Sequence, residues 1–367
     1  MLLAKLVTGE EIHRYQKSIV VNFTGGRKVL STSPANGGLR GDLRAVFNND
    51  CVVGTGMGAA MKAPTYAEHN DVLSRELGLD PEKTAGIGTA AQMENVSIQT
   101  ETYKDMTVTA AVTGGVEMNG GRAGDPASWD EFEQEIQTAT APHGTINILL
   151  FISVNLTDGA LARALVTCTE AKTSALQELA APSRYSRGLA TGSGTDGAII
   201  VCNSESPITL SDAGKHVKLG ELIGKTVKRA LKEALRLQTG LSPETQHDVL
   251  KRVSRFGITA QSLWQDLGEP EPAGLRKARY AELLETRMQE GKLVAGASLY
   301  AHLLDQLDWG LLRIEEAAEY AGALLKQMGM GELDGEAPPQ TEEAIAFFIG
   351  ALKTGLMQLM QNELSKY

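Results

Sequence analysis

The chain has 367 residues, of which 42% are hydrophobic, so it is long enough to bury one large core or two ordinary ones, and its composition excludes a disordered protein. Its formal net charge is -10, from 35 Lys and Arg against 45 Asp and Glu, and no local basic patch interrupts this negative field. Nucleic acid and anionic lipid are therefore excluded as expected partners.

Cysteine use and the N-terminus bear on the cellular compartment. The three cysteines, Cys51, Cys168 and Cys202, are widely spaced and form no CxxC pair, which indicates neither a disulfide framework nor a zinc site. The N-terminal apolar run is broken at once by polar residues, and no apolar segment approaches the roughly 20 residues that cross a bilayer. We expect a protein of the reducing cytoplasm, with no membrane contact.

Up to about residue 210 the chain is rich in Gly, Thr and short β-like runs. SIVVNFT and RKVLSTS predict a hairpin around Gly25 and Gly26, and VSIQTE and MTVTAAVT predict another around residues 103–105. Antiparallel pairs should therefore dominate the sheet.

Residues 144–202 predict a strand, a helix and a second strand. In GTINILLFISV both faces of the strand are apolar beyond Thr145 and Asn147, so both faces should be covered. A helix over residues 158–179 and a strand over residues 198–202 complete a βαβ crossover, which makes the sheet mixed. Lys172 projects into the apolar stripe of this helix, where an unpaired ammonium is costly, and Asp196 and Asp125 are its predicted partners.

The rest of the chain is mainly helical. The pattern predicts a helix over residues 219–237 and a cap at Ser242 with Pro243 beginning the next helix. Further helices are predicted over residues 243–267, 272–289, 294–306, 313–328 and 341–364, with a linker at residues 331–340. The predicted fold class is α+β, a mixed and largely antiparallel sheet with covering helices, followed by an all-α C-terminal region. We place a catalytic domain at residues 1–240 and a helical domain at residues 241–367.

Several glycine-rich loops could bind a ligand. The loop LATGSGTDG could direct backbone N–H groups at an anion or oxyanion, or it could be only a turn into a strand. It has no GK[ST] ending and is not a P-loop. A second loop, TGGVEMNGGRAGD, favours ligand binding, and SPANGG has a similar composition. The segment CVVGTGMGAAMKA does not fit a dinucleotide-binding unit, so close packing better explains its glycines.

Two residue types have ordinary structural interpretations. None of the six histidines forms HExxH or an i, i+4 pair, so the sequence predicts no metal site. Glu170 projects opposite Lys172, which is typical of a solvated helix face.

Seven segments, in this order, together resemble the adenosylcobinamide amidohydrolase family of corrinoid salvage: SPANGG, GIGTAAQME, TGGVEMNGGRAGD, GTIN, TCTEAKTSALQEL, SRYSRGLATGSGTDG and KHVKLGELIGKTVKRAL. The similarity covers roughly residues 15–238. The sharpest parts are TEAKT and GSGTD, and Ser193 stands where the family usually has a second Thr. His143 is not part of this pattern.

The resemblance implies hydrolysis of the amide between a propionate of the corrin ring and aminopropanol, giving adenosylcobyric acid. It implies an adenosylated, cobalt-containing corrinoid as substrate, and no cofactor is required. Catalysis is expected of Lys172, Thr195 and Asp196, which are the best physical candidates, and of Glu170, which rests mainly on the resemblance. The resemblance assigns substrate binding to Asn36, Gly37, Glu94, Thr113, Asn119, Asp125, Thr145, Asn147, Thr173, Gly192, Ser193 and Gly194.

The mechanism stays open between two hypotheses. Lys172 could activate the Thr195 hydroxyl or a water, with the N–H groups of residues 192–195 as an oxyanion hole, or Glu170 or Asp196 could act as the general base. A non-catalytic corrinoid carrier or sensor is the alternative function, and a glycine-loop phosphate or nucleotide transferase is a third. The helices after residue 241 lie outside the resemblance. They could mediate association of copies into a homo-oligomer, bind a partner, or cover the catalytic domain.

Overall fold

The computed structural model describes residues 1–52, 61–127, 144–267 and 273–365. It divides into two compact units, Met1–Ser242 and Pro243–Tyr367. The glycine segment that follows Cys51 lies mostly outside the described residues, as does His143.

The first unit contains fifteen described strands and three described helices. The strands are β1 (Leu2–Lys5), β2 (Glu11–Tyr15), β3 (Ser18–Asn22), β4 (Arg27–Ser31), β5 (Gly38–Arg40), β6 (Ala45–Asp50), β7 (Thr84–Thr89), β8 (Ser97–Tyr103), β9 (Met106–Gly114), β10 (Gly120–Gly121), β11 (Ile146–Ile152), β12 (Asn155–Leu156), β13 (Gly192–Ser193), β14 (Gly197–Asn203) and β15 (Thr209–Leu210). The helices are α1 (Tyr66–Glu76), α2 (Asp158–Glu178) and α3 (Lys218–Thr239), with short 3-10 turns at Pro81–Lys83 and Met93–Asn95.

The strands form two large sheets and two small ribbons. One sheet has the order β1-β2-β3-β6-β7, the other has the order β5-β4-β14-β11-β9-β8, and the ribbons are β10-β13 and β12-β15. In the six-stranded sheet only β11 and β14 run parallel, and in the five-stranded sheet only β6 and β7 do. The α+β class with mixed, largely antiparallel pairing is confirmed. The sequence pattern did not indicate that the strands divide between two sheets.

The first predicted hairpin is wrong. β3 pairs with β2 and β6, whereas β4 pairs with β5 and β14, so the chain passes from one sheet to the other at Gly25 and Gly26. The glycines admit Glu205 from the loop after β14. The Gly26 N–H donates to Glu205 Oε1 at 2.7 Å, and a Cβ on Gly25 would collide with the same carboxylate.

The second hairpin and the crossover are confirmed. β8 and β9 pair antiparallel from Ser97 with Val112 to Tyr103 with Met106. Helix α2 connects β11 to β14, which pair in parallel with Asn147 opposite Gly197.

The first unit is built of four layers. Leu149 and Phe151 of β11 pack in the core between the two sheets, while Ile148 and Leu150 pack in the core beneath α2 and α3. Helix α1 covers the outer face of the five-stranded sheet, where Leu73 joins a third apolar cluster. Both faces of β11 are buried, as its apolar pattern predicts, because it is central in one sheet and that sheet is covered on both sides.

The second unit is all-α in its described part. Its helices are α4 (Val249–Val253), α5 (Ala260–Leu267), α6 (Ala273–Arg287), α7 (Gly291–Asp308), α8 (Ile314–Met328) and α9 (Thr341–Leu364), with a 3-10 turn at Ser254–Phe256. The predicted single helix from Pro243 is wrong. Helix α4 instead begins after Asp248, which accepts hydrogen bonds from the N–H groups of Leu250 and Lys251, and Gly257 ends the turn with a φ of +79°.

Helix α9 is long and apolar enough to cross a membrane by length and composition, contrary to the expectation that no segment approaches this size. The core helix of a soluble protein passes the same test. One face of α9, with Phe348, Leu352 and Leu356, is fully buried in the core of the second unit.

Candidate functional site

An ion pair between Lys172 and Asp196 lies at the end of the six-stranded sheet where β11 and β14 begin. Lys172 Nζ donates to Asp196 Oδ2, and the two side chains are only 13% and 14% exposed. The predicted partnership with Asp196 is confirmed. It forms because the βαβ crossover brings the second half of α2 back to the residues that precede β14.

The Asp196 carboxylate is held by several further donors. Oδ1 accepts from the Ile146 N–H at 3.0 Å and from Ser193 Oγ at 2.6 Å, and the Ser193 N–H lies 3.0 to 3.1 Å from both oxygens. A carboxylate has about four acceptor positions, so these bonds and Lys172 occupy them. Asp196 therefore joins β11, α2 and the glycine loop at one point.

Gly192 lies directly beneath the ion pair. A Cβ on Gly192 would be 2.7 Å from Lys172 Nζ and would collide with Asp196 Oδ2. Only glycine can occupy this position without displacing the ion pair.

Two threonines precede residues of this arrangement in the sequence: Thr195 precedes Asp196, and Thr145 precedes Ile146, whose N–H binds the carboxylate. The Oγ1 atoms of Thr145 and Thr195 are 2.6 Å apart, and Thr195 Oγ1 also donates to the Gly144 carbonyl at 3.2 Å. Because a carbonyl can only accept, this bond makes Thr145 the donor to Thr195. Asn119 Nδ2 donates to the same carbonyl at 2.9 Å.

Thr113 and Asn147 belong to a buried polar network between the two sheets. Asn48, which the sequence did not single out, connects them: its Nδ2 donates to Thr113 Oγ1 at 2.8 Å and its Oδ1 accepts from Asn147 Nδ2 at 2.7 Å. Asn147 Nδ2 also donates to the Gly88 carbonyl at 2.9 Å. No periodicity in the sequence relates Asn48 to Asn147, because the contact joins different sheets.

Three more predicted residues support the loops around this site. Thr173 Oγ1 donates to the Thr191 carbonyl at 3.0 Å, which holds the loop to α2. Asp125 Oδ2 accepts from Ser183 Oγ at 2.6 Å. Burial opposes ionisation of Asp125, but hydrogen bonds led by Ser183 lower the pKa of its carboxyl below the ordinary value. A Cβ added at Gly194 would lie 3.2 Å from Asn119 Oδ1, so the glycine loop passes close to Asn119.

Four predicted residues have their contacts elsewhere. Glu170 pairs with Lys215 at 2.7 Å on the exposed side of α2, because residues two apart on a helix face in different directions. Asn36 donates its amide to the carbonyls of residues 81 and 84. Gly37 packs tightly on the Ser33 carbonyl, and Glu94 pairs with an arginine of β2 at 3.5 Å.

The arrangement favours Lys172 as a hydrogen-bond donor. The N–H groups of Ser193 and Thr195, predicted to form an oxyanion hole, donate instead to side chains of their own loop. A lysine ammonium carries three N–H donors, and within the described ranges Asp196 is its hydrogen-bond acceptor. The other N–H groups of this ammonium could donate to an oxygen atom of a bound ligand. Among the described residues, no group of three or more His, Cys, Asp or Glu could hold a metal ion.

A family model described as adenosylcobinamide amidohydrolase matches residues 3–243, about two thirds of the chain. The chain belongs to the adenosylcobinamide amidohydrolase family. An uncharacterized protein of Methanocaldococcus jannaschii is 34% identical over 229 residues, which cover 60% of this chain and 86% of that protein. The family match contains every residue of the site described above, and helices α4 to α9 lie beyond it.

Proposed function

We propose that this adenosylcobinamide amidohydrolase family member cleaves the amide that joins a propionate of the corrin ring to aminopropanol. The products are adenosylcobyric acid and aminopropanol, and the reaction serves corrinoid salvage in the cytoplasm. The cobalt-containing corrinoid is the substrate, and no cofactor is required. The observation that carries the proposal is the shielded Lys172–Asp196 ion pair in a chain of this family. Thr195 directly precedes Asp196 in the sequence, and its hydroxyl is bonded to that of Thr145.

Lys172 is proposed to bind the carbonyl oxygen of the scissile amide. Because the ammonium is fixed by Asp196 and largely shielded from water, its remaining N–H groups can stabilise the negative charge that develops on this oxygen. This role requires Lys172 to act as a donor, as it does towards Asp196. It replaces the hypothesis that Lys172 acts as a base.

Water is proposed to attack the carbonyl carbon directly. The Thr195 hydroxyl has a peptide carbonyl and the Thr145 hydroxyl as its neighbours, and neither is basic enough to take its proton at neutral pH. Thr195 is therefore better suited to orienting a water than to forming an ester. The water oxygen forms the new C–O bond as the C–N bond breaks. One proton of the water passes to the leaving nitrogen, which departs as the amine, and the other is left on the new carboxylic acid, which releases it to solvent.

The charge of the catalytic region suits a cationic corrinoid. Residues 1–214, which precede α3, carry 16 Lys and Arg against 24 Asp and Glu, and this part of the domain attracts a positively charged ligand. Over residues 1–240 the numbers are 23 and 26, because α3 and the residues just before it are basic. The side-chain amides and hydroxyls near the site match the amide groups at the rim of a corrin ring.

The test is incubation of the purified chain with adenosylcobinamide and, separately, with cobinamide that lacks the adenosyl group. We expect cobyric acid and free aminopropanol from the adenosylated compound. Tight binding with no product would favour the carrier or sensor function and would overturn the proposal. Mass spectrometry of acid-quenched enzyme should show only the unmodified chain, and a mass increase by the corrinoid acyl group would instead establish covalent attack.

A further inference from the structure

A tyrosine outside the predicted site is connected to Thr195 by a chain of hydrogen bonds. Tyr185 lies in the SRYSRG segment, and its hydroxyl donates to Asn119 Oδ1 at 2.7 Å. Asn119 Nδ2 donates to the Gly144 carbonyl at 2.9 Å, which also accepts from Thr195 Oγ1 at 3.2 Å. Neither the proposed reaction nor the resemblance assigned a role to Tyr185.

The direction of every bond in this chain is fixed by chemistry. The Gly144 carbonyl can only accept, so it must face the NH2 group of Asn119. The oxygen of the same amide then faces Tyr185, whose O–H is the donor that matches it. Tyr185 therefore holds the oxygen end of an amide whose NH2 end is held by the Gly144 carbonyl.

The backbone at Gly144 makes the position of Thr195 sensitive to Asn119. Gly144 has a φ of +148°, and a Cβ there would lie 2.7 Å from the Gly115 carbonyl and 3.2 Å from Asn119 Cβ. Loss of the Tyr185 bond would release the oxygen end of the Asn119 amide, and a shift of this amide would weaken its bond to the Gly144 carbonyl, to which Thr195 is also bonded.

We propose that Tyr185 is a positioning residue, which holds the Thr195 hydroxyl in place through Asn119 and the Gly144 carbonyl. The inference rests on the proposed function for its effect on turnover. Tyr185 is 40% exposed, so direct contact with the corrin ring is a different role, which the experiment must distinguish from positioning.

The experiment compares Tyr185→Phe, Asn119→Ala and the double variant with the wild-type chain. Tyr185→Phe keeps the ring and removes only the hydroxyl. We expect kcat to fall about 10-fold in each single variant, the size of one lost hydrogen bond, with KM changed less than about 2-fold. The double variant should be no slower than Asn119→Ala, because both changes break the same chain. Tyr103→Phe is the matched control, since Tyr103 is exposed to a similar degree and packs against Lys218.

Hydrogen exchange of residues 192–197 tests the positioning without any turnover. We expect faster exchange in Tyr185→Phe and Asn119→Ala, with no further increase in the double variant. A wild-type chain that releases no aminopropanol would overturn the proposed function, while this exchange pattern would still support the positioning role. Unchanged exchange, additive effects, or a raised KM at constant kcat would overturn the positioning role.

Discussion

Lys172 and Asp196, 24 residues apart in the sequence, form an ion pair in which each side chain is less than one sixth exposed. Two features of the surrounding backbone make this pair possible. The Ile146 and Ser193 N–H groups supply further donors to the carboxylate, and Gly192 leaves room above its Cα. The charges are thus positioned by secondary structure, which keeps their geometry fixed during a reaction.

Replacing Gly192 by Ala should displace the ion pair. The new methyl group would collide with the Asp196 carboxylate, so we expect at least a 10-fold loss of turnover in a chain that remains folded. Gly224→Ala in α3 is the control, because a Cβ there meets no atom within 4 Å. It should retain activity and stabilise the fold by about 0.5–1 kcal/mol, measured by urea unfolding. Equal activity in the two variants would argue against an essential ion pair.

The two predicted catalytic carboxylates should behave differently. Asp196→Asn breaks a shielded ion pair and presents an NH2 group to backbone donors, so we expect a loss of about 3 kcal/mol in unfolding free energy and nearly complete loss of turnover. Glu170→Gln removes only a pair with Lys215 at the surface, and both quantities should stay close to wild type. Turnover assays and urea denaturation measure the two quantities. If Glu170→Gln loses as much turnover as Asp196→Asn, Glu170 must belong to the catalytic site.

The buried Asn48 should contribute to stability. Asn48→Leu would leave the Thr113 hydroxyl and the Asn147 amide without their shared partner between the sheets. We expect the free energy of unfolding to fall by about 1–3 kcal/mol. Thermal and urea unfolding measure the effect. Asn155→Leu, at an exposed bond to Thr209, is the control and should change stability much less. A neutral Asn48→Leu would show that the network is not needed for folding.

Glu178 should make stability depend on pH in acid. Hydrogen bonds from Lys228, and then from Lys232, lower the pKa of this carboxyl to about 2 in the folded chain, against an ordinary value of 4.5. Its stabilising contribution is therefore complete above pH 4.5 and is lost as the pH falls towards 2. The carboxylate is partly exposed, so the effect is small and decreases with salt. The difference in unfolding free energy between wild type and Glu178→Gln should shrink between pH 5 and pH 2.5, and a constant difference would contradict the assignment.

Local patterns in the sequence were sufficient for part of the fold and of the site. The β11–α2–β14 crossover follows from apolar periodicity, and it predicts the Lys172–Asp196 pair because a lysine in an apolar stripe needs a nearby carboxylate. The same helical projection predicts that Glu170 points away from Lys172.

Contacts between distant strands could not be predicted in this way. The assignment of β3 and β4 to different sheets depends on partners far along the chain, such as β14, which no local turn signal reveals. Asn48 and Tyr185 reach the site across sheets and loops, so neither shows a periodic signal. The sequence pattern predicts a helical region after Ser242, but the helix predicted over residues 243–267 begins only after Asp248 and is interrupted at Gly257, which has a positive φ.

The most direct test of the account compares wild type, Lys172→Met and Lys215→Met in release of aminopropanol from adenosylcobinamide, measured by mass spectrometry. Lys215 is the matched control, because it forms an ion pair from a side chain that is 64% exposed. Wild type and Lys215→Met should release one aminopropanol for each cobyric acid formed, and Lys172→Met should be slower by about 100-fold or more. Release by Lys172→Met at the wild-type rate would contradict the central claim that Lys172 stabilises the reacting amide.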